Sequence, residues 1–167
     1  MKKLIISVAA IFALAGTLFA AYTPDKFDEI AITGDDVPEG FVIGLIPEPA
    51  QKVLKSNPWH FDKTAIQKLT DKIYPDGDYR KVSGIHMTII AEAKKPYNDN
   101  IVCYMILFKD TKSAKTEFTK LSNYVGFNSD RAILFTKDNL AVFIHADDTA
   151  DFDRIHTLSE IIQSRIK

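Results

Sequence analysis

Apolar side chains in the second part of the chain recur with two different periods, and each change of period marks an element. Asp62 is placed to cap a helix whose apolar positions Ile66, Leu69 and Ile73 lie at helical spacing, and Pro75 closes it. A turn cluster, YPDGD, follows. Residues 83–93 then alternate: Ile85, Met87, Ile89 and Ala91 point one way, His86, Thr88, Ile90 and Glu92 the other. Residues 101–108 are apolar throughout, the pattern of a strand covered on both faces. Asp110 caps the next helix, whose inner stripe is Ala114, Phe118, Leu121 and Val125 and whose end is Gly126. Residues 131–136 and 140–146 form two strands joined by a KDN turn. A last helix starts near Asp151 and turns Phe152, Ile155, Leu158, Ile162 and Ile166 inward.

The order helix, two strands, helix, two strands, helix predicts an α+β domain over residues 61–167. Its expected core is a four-stranded, mainly antiparallel sheet with the helices packed on one face. Residues 21–60 are rich in Pro, Gly and acidic residues and carry two short apolar pieces, EIAI and FVIGLI. They read as an irregular N-terminal arm with one or two short strands and a helical turn over residues 50–56, held to the domain by Trp59 and Phe61. The first twenty residues differ again: two lysines, a long apolar run and small residues ending at Ala20. That is the design of a bacterial-looking secretory leader, with cleavage expected after Ala20 or, earlier, after Ala15. A periplasmic or secreted location follows, with no stable membrane anchor after cleavage, since lipidation at the cut would need a cysteine there.

Charge and cysteine content narrow the class. Loss of Lys2 and Lys3 with the leader leaves 19 of the 21 basic residues against 22 acidic ones, a net charge of −3. No run of Lys and Arg exceeds two residues, so nucleic acid is not an expected partner. Cys103 is the only cysteine, so no internal disulfide forms, and its apolar neighbours favour burial of the thiol.

The facing of the strands decides which candidate residues share a surface. A shift of 38 residues lays ILFKDT (106–111) on IHADDT (144–149), and in both a strand runs into Asp-Thr before a helix. Taken as a guide to facing, that shift puts Val102, Tyr104, Ile106 and Phe108 with Leu140, Val142 and Ile144 under the helices. Cys103, Met105, Leu107, Phe143 and His145 then share the second face with His86 and Thr88. Imidazole, thiol and thioether on one surface suit copper or haem iron, with His86, Cys103, Met105 and His145 as ligands. An apolar second face also needs a cover. The candidates are the N-terminal arm with Phe41, Ile43, Leu45 and Trp59, a second copy in a two-fold dimer, or a small apolar ligand.

Catalytic patterns are missing from the sequence. Ser83 and His86 fall on opposite sides of one strand, no Gly-x-Ser-x-Gly turn or Gly-rich phosphate loop occurs, and the glutamates Glu48, Glu92, Glu117 and Glu160 share no element. HADDTADFD (145–153) lacks the glycine and terminal glutamate of a helix-loop-helix calcium loop, and Asp148 and Asp151 read as helix caps. The expectation is therefore a non-catalytic binding or interaction protein, meeting a protein partner or a small apolar ligand. Trp59, His86, Met105, Phe143 and His145 are its candidate contact residues; a copper or haem protein is the alternative.

Overall fold

The computed structural model describes residues 22–52, 54–73 and 76–166. The expected leader and the closing Pro75 lie outside them. An α+β fold with an open antiparallel sheet is what the chain forms. The strands are β1 (Phe41–Ile43), β2 (Trp59–His60), β3 (Val82–Glu92), β4 (Ile101–Phe108), β5 (Ala132–Lys137) and β6 (Leu140–Ala146). Among the described residues four α-helices accompany them: α1 (Phe27–Ile30), α2 (Lys63–Ile73), α3 (Thr111–Gly126) and α4 (Phe152–Arg165).

The sheet has six strands rather than the expected four, and the difference comes from the N-terminal arm. The sheet runs β1-β3-β4-β6-β5, and β2 also pairs with β3. Phe41–Ile43 lie along residues 90–92 of β3 and Trp59–His60 along residues 86–87, so two short pieces share one edge of the longest strand. A long strand left with one bare edge is a template for unwanted pairing, and these pieces close it. Between them Asn57 bridges the gap: its amide donates to the Gly44 and Ile89 carbonyls and accepts from the Ile89 N–H. Of the two apolar pieces of the arm, EIAI lies partly within helix α1 and FVIGLI opens with β1.

Caps fall where the polar residues call for them. The Asp62 carboxylate accepts from the Ala65 N–H at 2.8 Å, Asp110 from Ser113 at 2.6 Å and Asp148 from Ala150 at 2.9 Å, each satisfying a donor that a helix or turn start leaves free. Asp148 thus caps a short turn ahead of α4, whereas Asp151 pairs with Arg154.

Helices cover both faces of the sheet, which corrects the one-sided layer expected from the element order. One core joins Ile85, Met87, Ile89, Val102, Ile106, Phe108, Ala141 and Phe143 to Ile66 of α2 and to Ala114, Leu121 and Val125 of α3. The other joins Ile90, Cys103, Met105, Leu107, Leu140, Val142 and Ile144 to Ile155, Leu158 and Ile162 of α4 and to Phe27, Ile30 and Ile32 of the arm. Strands apolar on both faces need two covers, and α4 with the arm supplies the second. No helix among the described residues is long and apolar enough to cross a membrane.

Candidate functional site

Register determines which candidate side chains meet. Strand β4 pairs with β3 so that Met105 lies opposite His86 and Cys103 opposite Thr88, and these four share the α4 face. Against β6, however, Tyr104 lies opposite Phe143 and Val102 opposite His145. Directly opposed residues of an antiparallel pair point the same way, so Phe143 and His145 sit on the α3 face with Tyr104. The structure therefore does not bring His86, Cys103, Met105 and His145 together, and the proposed copper or haem set is split by the sheet itself. The five contact candidates split likewise. Trp59, Phe143 and His145 belong to the α2/α3 face, and His86 and Met105 to the other. The apolar second face is already occupied by α4 and the arm, so it is not a free contact surface. Cys103 is buried within it, and that burial pushes the thiol up to about 12, which hides the thiolate.

Two constellations remain. The first lies on the α3 face, in a recess of about 290 Å3 lined by Tyr104, Tyr124, Arg131, Phe143, His145 and Asp147 among others. Alternation along β4 and β6 sets three of its rings side by side. Tyr104 and Phe143 have centroids 6.0 Å apart and planes 15° from parallel, Tyr104 and His145 6.2 Å and 19°, and Phe143 and His145 5.4 Å and 30°. Tyr124 of α3 meets Phe143 edge-on at 6.5 Å. Burial lowers the His145 imidazole from its ordinary value against the opposing pull of Asp147 and Asp99, so the ring is neutral near pH 7. Burial, with Asp99 beside it, also raises the Tyr104 hydroxyl to about 12. Arg131 donates through Nη1 to the Asp147 carbonyl, while its buried Nε has no hydrogen-bond partner, Asp130 lying 3.7 Å off. Next to this recess in the chain, Phe127 stands 89% exposed at the end of α3.

The second constellation was not legible as a site in the sequence. His60 of β2 lies directly opposite His86 of β3, and helix α1 sets Asp28 beside them. The His60 Nε2 is 3.1 Å from the Asp28 Oδ1, and the two imidazole centroids are 4.6 Å apart at 71°. One ligand atom from each of the three side chains can be chosen so that all lie within 4.8 Å of one another. Phe27 covers the pair, its ring 5.7 Å from each imidazole. Gly84 makes room for that ring, since a Cβ there would stand 3.1 Å from the Phe27 edge. His86 is 1% exposed and its Nδ1 is buried with no partner. Burial, reinforced by the neighbouring His60 and opposed by Asp28, lowers its imidazole to about 4. The only sequence signal for this group was His86 on a strand; that His60 opposes it depends on where two residues of the arm dock.

No protein-family model, curated protein or solved structure matches the chain.

Proposed function

We propose that this chain is an exported, non-catalytic binding protein that seats a small ring-bearing ligand in the recess over Tyr104, Phe143 and His145. The observation that carries this reading is the cluster of three rings in the recess at the end of α3, Tyr104 and His145 partly exposed and Phe143 buried beside them. Such a cluster gives a flat ligand apolar contact without ordering any flexible side chain, because each ring is already fixed by its strand. Around it stand polar groups that are neutral near pH 7, the His145 ring and the Tyr104 hydroxyl, with Arg131 as the cation in the lining. The recess exposes more polar than apolar surface, so a ligand there is held by hydrogen bonds as much as by ring contact. Export is supported by the leader pattern of residues 1–20.

The test is a fragment screen by two-dimensional NMR on uniformly 15N-labelled protein, with planar aromatic and pyranose fragments as probes. The expected result is a set of shift changes confined to residues around 104, 124, 131, 143 and 145, abolished in Tyr124→Ala and His145→Ala. If no fragment at millimolar concentration moves those resonances, the recess is not a ligand seat.

A further inference from the structure

We infer that Asp28, His60 and His86 form a binding site for one first-row divalent transition-metal ion. The donor set settles the class: two imidazole nitrogens and one carboxylate suit Zn2+, Co2+, Ni2+ and Cu2+, whereas Ca2+ and Mg2+ demand oxygen throughout. Spacing is close to what such an ion needs. Tetrahedral bonds of about 2.0–2.1 Å separate adjacent ligand atoms by about 3.4 Å. His60 and Asp28 already stand at 3.1 Å, and the widest separation in the group is within 4.8 Å. Closing the remaining distance needs only small rotations of the two outer side chains, and both are free to make them. Asp28 has an 82% exposed side chain and His60 a 49% exposed one.

His86 is the independent observation. An Asp–His contact at the surface is ordinary, and by itself it would be a weak ion pair. It does not account for a second imidazole, fully buried beside it, whose Nδ1 has no hydrogen-bond partner. A buried polar group left unpaired costs free energy that native structures rarely leave uncompensated. Neutral imidazole in a dry setting is the form that coordinates a metal, and Phe27 above it excludes water from the inner side. The site also has a built access route, because its two exposed ligands face solvent. Three protein ligands from α1, β2 and β3 leave a fourth position for water, and together they fasten the two-residue strand β2 and the arm to the sheet.

The experiment uses untagged, chelator-stripped protein, titrated with Zn2+ by calorimetry and with Co2+ by absorption between 500 and 700 nm. Expected are a 1:1 stoichiometry, visible cobalt bands bleached by added Zn2+, and no competition from Ca2+ or Mg2+. Asp28→Asn and His60→Gln, both at exposed positions, weaken binding by roughly tenfold or more each. His156→Ala, an exposed histidine on α4, leaves it unchanged. His86→Ala abolishes the cobalt spectrum, and circular dichroism checks that this variant is folded. The inference is overturned if no Zn2+ binds at submillimolar concentration, if Asp28→Asn and His60→Gln both bind as the parent does, or if affinity follows His156 instead. Fragment binding at the Tyr104 recess is unaffected by any of these substitutions, so each site fails or survives independently.

Discussion

Asn139 gives the most direct test of how the arm is held in place. Its side chain is 2% exposed in the β5–β6 turn and makes three hydrogen bonds: it accepts from the Tyr22 N–H at 2.8 Å and donates to the Tyr22 and Phe108 carbonyls at 3.0 and 2.9 Å. Its backbone carbonyl accepts from the Phe108 N–H at 2.8 Å as well. One residue therefore joins the end of β4, the last hairpin and the start of the arm that carries Asp28. Asn139→Ala removes three bonds, each with a net value of about 1 kcal/mol, and strands the Phe108 carbonyl in the core, for a total of about 2–4 kcal/mol. In a domain of this size that lowers Tm by about 5–15 °C. Asn139→Asp has the same shape and is the sharper comparison: it keeps the acceptor for Tyr22 but sets a carboxylate oxygen against two carbonyls, so it is expected to be at least as destabilising as Ala. Thermal melts followed by circular dichroism measure both, and hydrogen exchange over residues 27–32 reports whether the arm loosens first. A Tm within about 2 °C of the parent for both variants would refute the reasoning, because three bonds of this kind cannot be lost so cheaply.

Other consequences can be measured as directly. Cys103, buried between β4 and the α4 layer with its thiol raised to about 12, should resist a thiol reagent at pH 8 in the native protein and react in full in denaturant; fast native labelling would contradict its place in the core. Arg165→Met removes bonds to the Asp36 carboxylate at 2.6 and 3.0 Å and to the Ala31 carbonyl at 2.6 Å, and should cost about 1–3 kcal/mol in urea melts. Burial alone would raise the Asp36 carboxyl, but bonds from Arg165 and Thr33 hold it below the ordinary value. A depressed carboxyl stabilises the fold above its unfolded pKa near 4 and loses that contribution as pH falls through the folded pKa. The parent should thus lose more stability than Arg165→Met on acidification below pH 4, and an identical acid profile in both would count against the pairing. Gly84→Val adds two methyls to a Cβ that would itself stand 3.1 Å from the Phe27 ring, so α1 must lift. Tm should fall, and Zn2+ affinity should fall with it because Asp28 moves; unchanged affinity would separate Asp28 from the metal.

Periodicity revealed the regular half of this fold because its strands and helices have faces that differ in polarity. The stripes on α3 and α4 follow burial at Ala114, Leu121, Val125, Ile155, Leu158 and Ile162, whereas the alternation of residues 83–93 follows polarity alone, since His86, Thr88 and Ile90 are buried as well. Relative facing of β3 and β4 was legible too: Ile85 opposes Ile106 and His86 opposes Met105, as the pattern implied. The arm's short strands were expected but their place in the sheet was not legible, because β1 and β2 have three and two residues, too few to show a period, and their pairing depends on the length of β3 and on Asn57.

The facing of β6 shows why an internal repeat is a poor guide to a site. Opposed residues of β4 and β6 have numbers that sum to 247, as in Cys103 with Ile144 and Met105 with Val142. An odd sum joins odd positions of one strand to even positions of the other, whereas a shift of 38 joins even to even. Any even shift therefore assigns β6 to the wrong face, however well the residues match. Both strands are apolar at nearly every position, so composition cannot correct the error, and only a polar residue on one face could have exposed it. His145 is that residue: it is half-buried in the open recess rather than in the closed α4 core. Once it is moved to the α3 face, α4 becomes necessary on the other, the copper set dissolves, and His86 is left facing a different partner. That partner is His60, brought in by the two residues of the arm that pattern alone could not place.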